Sequence, residues 1–166
     1  DTGASLRPLA PEVEWVRNSS LAFSLNQGAL WAGRGNNARL RAGFQAEWGR
    51  VSLIVAPELT HSENRDFDLP DPQLTPLADQ RGNPFGDPFH VRPNSIDRPI
   101  RYGDASFSTI HPGQSTLAVQ TGAATLGIST ENEWWGPGVR NAIVLSDNAP
   151  GFAHFFARTR RPISTA

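Results

Sequence analysis

The residues best equipped for chemistry lie together. Ser129-Thr-Glu-Asn-Glu-Trp-Trp-Gly-Pro-Gly-Val-Arg-Asn141 sets two adjacent indoles, Trp134 and Trp135, beside the carboxylates of Glu131 and Glu133, the amides of Asn132 and Asn141 and the guanidinium of Arg140. Flat apolar faces next to hydrogen-bonding groups are what sugar rings require, since ring C–H faces stack on indole while hydroxyls meet amides and carboxylates. A second stretch, Gln27 to Asn37, offers Trp31 and Arg34. Arginine pairs bidentately with carboxylates such as those of uronate or pyruvyl sugars. Each group also has a plainer use: the tryptophans as gap-fillers in a buried turn, Arg34 and the glutamates as interior ion-pair partners, Arg140 as a donor to a backbone carbonyl. If Glu131 and Glu133 share one strand, their side chains point the same way about 7 Å apart between Cα atoms. That spacing leaves glycoside hydrolysis open.

The totals remove several classes. The chain has 166 residues and a formal net charge of −1, enough for one domain with a core and with no bias toward nucleic acid. Cysteine is absent, and His61, His90, His111 and His154 lack ligand spacing, so neither a metal nor a cofactor is expected. The chain opens on Asp1 with no leader and reads as an internal fragment. Its longest apolar runs, Leu53 to Ala56 and Ala142 to Leu145, fall far short of the roughly 18 residues of a membrane helix. Membrane-spanning strands alternate and need no such run.

The elements that position these residues read as strands. Asp1 to Asn18 gives a weak signal, with Glu12 to Arg17 as a short strand. From Ser19, Leu21, Phe23 and Leu25 alternate with polar neighbours and predict another. The cleanest pattern follows: Ala38, Leu40, Ala42, Phe44, Ala46 and Trp48 against Arg39, Arg41, Gly43, Gln45 and Glu47, then Val51, Leu53, Val55, Pro57 and Leu59 against Ser52, Ile54, Ala56, Glu58 and Thr60. A two-residue type II′ turn at Gly49-Arg50 sets Trp48 opposite Val51, Phe44 opposite Val55, Leu40 opposite Leu59 and Arg41 opposite Glu58. Pro57 needs an edge or a bulge. Each arm reaches roughly 36 Å at about 3.3 Å per residue, which at a tilt of about 40° spans the apolar band of a bilayer. Trp48 would then sit in an interfacial girdle and the polar parity in a wet lumen. A soluble β-sandwich shows the same alternation with shorter strands, and periodicity alone leaves both architectures standing.

His61 to Gln114 is Pro-rich and aperiodic, a long loop over about 62–114. Pattern returns at Ser115: a Gly122-Ala123 turn puts Val119 opposite Leu126 and Leu117 opposite Ile128. Ala142 to Ser146 reads as a strand, Asp147 to Phe152 as a turn or inserted loop, and Ile163 to Ala166 as the start of a strand. The fold class is therefore all-β: antiparallel hairpins forming part of a barrel, with strands about 19–61 and 115–166 in one partial domain, 1–166. Outer-membrane barrels have tight turns at one end and long loops at the other. Since Gly49-Arg50 and Gly122-Ala123 are the tight connections, strand direction alone gathers Trp31, Arg34, Glu131, Asn132, Trp134, Trp135, Arg140 and Asn141 at the opposite rim, a tentative polysaccharide site.

Several blocks resemble the Wzi capsule-assembly family: Gly28-Ala-Leu-Trp-Ala-Gly-Arg-Gly35, Ala56-Pro57 closing a strand, Pro99 to Asp104 with Arg101-Tyr-Gly-Asp, Pro112-Gly-Gln-Ser115, and most specifically Ser129 to Phe152. The resemblance covers most of the chain from about residue 18. It implies a closed antiparallel barrel in the bacterial outer membrane, contacting lipid outside, that acts as a lectin for capsular or surface polysaccharide and is not an enzyme. About six strands are too few to close such a barrel, in keeping with a fragment. No motif carries over the family's sugar contacts, so the site residues rest on the rim geometry. The alternatives are a general porin, a glycoside hydrolase using Glu131 and Glu133, and a soluble carbohydrate-binding sandwich.

Overall fold

Alternating apolar and polar residues favour extended chain, and they build an all-β sheet in the computed structural model, which describes residues 3–67, 103, 105–139, 142 and 144–160. Its strands are β1 (Ala4–Asn18), β2 (Gly35–Trp48), β3 (Val51–Val55), β4 (Glu58–Ser62), β5 (Phe107–His111), β6 (Thr116–Gln120), β7 (Ala124–Ser129) and β8 (His154–Thr159). Every pairing between strands is antiparallel. β3 and β4 pair with successive parts of the same edge of β2, and β6 and β5 pair with β3 and β4 in turn. The sheet is thus an up-and-down meander in which two of the long strands are each broken once. It is open, as expected for part of a barrel wall.

The register follows the sequence pattern. Trp48 faces Val51, Phe44 faces Val55, Leu40 faces Leu59 and Arg41 faces Glu58. Gly49 has φ +58° while Arg50 stays out of the left-handed region, the combination of a type II′ turn. In the second hairpin Leu117 faces Ile128 and Val119 faces Leu126. Gly122 is not left-handed there; the Thr121 N–H and hydroxyl both donate to the Ala124 carbonyl, at 2.7 and 2.8 Å.

Burial is inverted relative to a water-soluble sheet. Glu58 is 2% exposed while its neighbour Leu59 is 47% exposed. Asn37, Thr60, Ser62 and Ser129 are buried, whereas Val13, Trp15, Leu40, Phe44, Ile110, Leu117, Leu126 and Phe155 are open on the other face. Among the described residues no second layer covers that apolar face. Buried charge must be paired, and here it is: Arg39 binds Glu14 at 2.7 Å and approaches Glu58 at 3.8 Å, while Arg41 meets Glu58 at 3.4 Å and also pairs with Glu12. Thr60 and Thr109 share a 2.6 Å hydroxyl contact across β4 and β5, and Thr116 and Ser129 another of 2.6 Å across β6 and β7.

One line of irregularity crosses the sheet. The β1–β2 register shifts between Leu9 and Glu12, β3 breaks from β4 at Ala56-Pro57, and β5 from β6 at residues 112–115. These breaks lie side by side, and Gly43 lies beside them on β2, where a Cβ would run into the Val55 carbonyl. Gly113, at φ +61°, donates no side chain to the crowded approach of Ala56 and Glu58. The Ala56 N–H donates to Ser115 Oγ at 3.0 Å and the Gln114 N–H to the Ala56 carbonyl at 3.1 Å, so the broken ladder keeps its hydrogen bonds.

Several expectations need correction. β1 runs from Ala4, not Glu12. The bulge at Ala10-Pro11 switches which parity faces outward, from Leu6 to Val13 and Trp15, so no single alternation runs through it. As the edge of the described sheet, β1 also tolerates proline. Residues 19–26 are not a strand: Asn26 at φ +56° and Gly28 at φ +58° turn the chain back, and the Phe23 N–H bonds the Ala32 carbonyl at 3.1 Å. Residues 142 and 144–146 form no strand either; the strand nearby is β8. β5 lies within the stretch read as loop. Ile163 to Ala166 fall outside the described residues.

Glu58→Ala leaves two inward guanidinium groups short of a partner, and should lower the unfolding free energy of the protein in detergent or lipid by about 3 kcal/mol. Urea-gradient unfolding measures it, with a change below about 0.5 kcal/mol, the range of an ordinary surface substitution, as the contrary result.

Candidate functional site

Two irregular segments are joined to each other: 19–33, between β1 and β2, which leaves the sheet at the end away from the tight turns, and 130–153, between β7 and β8, which leaves it at the level of the β5–β6 break, where Ser129 pairs with Thr116. The first is held by side-chain amides. Asn18 Nδ2 donates to the carbonyls of Phe23 (2.9 Å) and Ala32 (2.8 Å), Asn37 Nδ2 donates to Gly33 (2.8 Å), and Leu30 and Ala32 are buried. The second is tied to the β5–β6 break. Thr130 Oγ1 donates to the Gly113 carbonyl at 2.7 Å, Gln114 Nε2 donates to Asn132 Oδ1 at 2.7 Å, and the Asn132 N–H returns to Gln114 Oε1 at 3.0 Å.

The segments are joined to each other. The Gly28 N–H donates to the Asp147 carbonyl at 2.7 Å and the Asn26 N–H to Asn148 Oδ1 at 2.9 Å. Below them stands the ion network of the inner face, whose Arg39 donates to the Gln27 carbonyl at 3.1 Å. A Cβ on Gly28 would lie 2.8 Å from Arg39 Nη1 and 2.9 Å from Asp147 Oδ1, and the left-handed backbone there also favours glycine. Burial pushes the Asp147 carboxyl above its ordinary value, and Glu58 adds to that push while Arg39 opposes it. Its Oδ1 is buried without a hydrogen bond. At the end of β4 the opposite holds: the Asn36 backbone N–H, with Arg65, keeps the Glu63 carboxyl below its ordinary value.

The sequence-predicted site residues divide. Trp31 Nε1 donates to Asn64 Oδ1 at 3.1 Å, and the Trp31 carbonyl accepts from the Ser62 hydroxyl. Arg34 donates to the Asp66 carbonyl at 2.7 Å. Asn132, besides its exchange with Gln114, donates to the Ala149 carbonyl at 2.6 Å. Trp134 and Trp135 are 37% and 57% exposed; the Trp134 indole donates to the Gly138 carbonyl at 2.7 Å and the Trp135 backbone N–H to the Leu145 carbonyl at 3.1 Å. Glu131 and Glu133 do not share a strand, because β7 ends at Ser129, so the strand spacing expected for a catalytic carboxylate pair is not there. Glu133 instead lies 3.2 Å from His154 Nε2. Arg140 and Asn141 lie outside the described residues. Sequence reasoning missed Gly28, Asp147 and the network beneath them; its one available signal was the charged parity of β2.

A wall with buried polar residues on one face, apolar residues open on the other and two loops joined to each other is now matched by a family model, described as capsule assembly protein Wzi, over residues 19–165. This chain belongs to the Wzi family. The match takes in β2 to β8 and both inward-folded segments, while β1 precedes it. Two of the blocks that carry the Wzi resemblance, Ala56-Pro57 and Pro112 to Ser115, are the breaks of β3–β4 and β5–β6. A third, Gly28 to Gly35, is the part of the first segment that meets Asp147. No curated protein and no solved structure matches the chain.

The raised Asp147 carboxyl has a pH consequence. Its contribution to stability is fully present below its ordinary value of 3.8 and is lost as pH rises through the higher folded-state value. Asp147→Asn should therefore raise the melting temperature at pH 7 and flatten the fall in stability between about pH 4 and pH 7. A lower melting temperature at pH 7 would show that attraction to Arg39 outweighs burial.

Proposed function

We propose that the protein is one wall of a bacterial outer-membrane β-barrel and works in capsule assembly as a lectin. It binds capsular or related surface polysaccharide non-covalently and aids its retention at the cell. Membership of the Wzi family supports the capsule role. The inverted burial of the sheet supports lipid as the outer contact, since soluble proteins rarely leave so large an apolar face open.

The observation that carries the lectin reading is the exposure of the adjacent Trp134 and Trp135 on a segment braced through Gln114 and Asp147. Rigid indoles lose little entropy when a ring stacks on them. Within the rim, Trp134 and Trp135 are the stacking surface, whereas Trp31, Arg34 and Asn132 hold the loops through the hydrogen bonds described above. Arg140 and Asn141 belong to the same segment and complete the proposed set with Glu131. The porin reading is disfavoured by two segments folded onto the inner face. The hydrolase reading is weakened by the engagement of Glu133 with His154.

Titration of the complete protein with polysaccharide purified from its own bacterium tests this. Trp134→Ala and Trp135→Ala should each weaken binding about tenfold, the value of one stacked ring at about 1.4 kcal/mol. Unchanged affinity in both variants would remove the indoles from the site.

A further inference from the structure

The inner face carries a concavity that shares Glu131 with the proposed rim set but is otherwise lined by other residues. A cavity of about 380 Å³ lies over β3, β6, β7 and β8 in the half of the sheet nearer the tight turns, beneath the 130–153 segment. Its size falls in the range of about 300–1,000 Å³ typical of small-molecule sites. Glu131, Glu133 and His154 border it on one side, Ser129 and Arg158 on others. Phe156 also lines it: its ring lies against Gly127, where a Cβ would come within 2.6 Å of Phe156 Cζ. The Arg158 guanidinium stands 5.1 Å over the ring centroid.

Two of these groups are uncommitted. Among the described residues the Glu131 carboxylate and the Arg158 guanidinium make no hydrogen bond or ion pair, although Arg39, Arg41, Glu14 and Glu58 on the same face are paired. Two carboxylates set against one guanidinium and one imidazole disfavour an anion, and Arg158 disfavours a cation. A neutral polyol suits the set: carboxylates accept from its hydroxyls, the guanidinium donates to them, and the phenyl ring offers an apolar surface. We propose that this cavity is a saccharide subsite that takes one neutral hexose residue, held between Glu131 and Arg158 beside Phe156. The proposal rests on the reading of the protein as a saccharide binder and not on the tryptophan rim.

Isothermal titration of the complete protein in detergent tests it, with the methyl glycosides of glucose, galactose and mannose and, in parallel, glucuronate. At least one methyl hexoside should bind. Its affinity should fall about tenfold or more in Glu131→Gln and in Arg158→Lys, both melting as the parent does. Glucuronate should bind more weakly than that hexoside. Absence of binding by all three hexosides, equal affinity in the Glu131 and Arg158 variants, or preference for glucuronate would overturn the subsite. The Arg158→Lys result does not bear on the rim, which is judged by polysaccharide affinity in the tryptophan variants. Loss of polysaccharide binding there with hexoside binding intact would leave both sites standing.

Discussion

Everything in this molecule depends on a sheet whose two faces have exchanged the usual environments. Glu58, with almost no exposed surface, lies between Arg39 and Arg41 on one face, and Leu59, the next residue, stands open on the other. In water that arrangement loses twice, by desolvating charge and by wetting aliphatic surface. Against hydrocarbon it is stable, because the outward side chains are then in their preferred solvent and the inward charges pair within a polar interior. The ion network and the apolar belt are therefore one feature, and neither makes sense without the other.

The same constraint accounts for the crease and for the loops. A strand that must keep apolar residues outward can change its path only where the parity change is absorbed, and bulges absorb it. The shift in β1 and the break at 112–115 each absorb such a change, whereas the same parity faces outward on both sides of 56–57, from Val51 to Leu59; these irregularities line up with one another and with the small Gly43. The crease also supplies loose backbone groups and side chains, through Gly113, Gln114 and Ser115, to which the 130–153 segment is fastened. Residues 19–33 then close against that segment through Gly28 and Asp147. The side chains proposed for recognition are thus held by the irregular part of the wall rather than by its regular strands.

How much of this is written in the sequence follows from the same physics. The β2 hairpin was legible to the residue, including the Arg41–Glu58 pairing, because period-two alternation and a Gly-first turn leave one register that keeps all apolar residues together. β1 was half lost because its bulge reverses parity in mid-strand. Leu21, Phe23 and Leu25 alternate as strand residues do, yet they lie in a segment whose path is set by left-handed Asn26 and Gly28 and by amides reaching from Asn18 and Asn37. Local pattern carries no record of such long-range contacts. The exposed indoles were visible as a motif, whereas the role of Asp147 exists only once two distant loops meet.

The exchange of environments across the sheet is tested most directly by spin labels placed one at a time at Arg39, Leu40, Leu59 and Thr60 in the complete protein reconstituted into lipid vesicles. The labels at Leu40 and Leu59 should relax with oxygen, which concentrates in the bilayer, and those at Arg39 and Thr60 should favour a water-soluble nickel chelate or be shielded from both. Chelate access at Leu40 and Leu59 equal to that of a label in free solution would contradict the account.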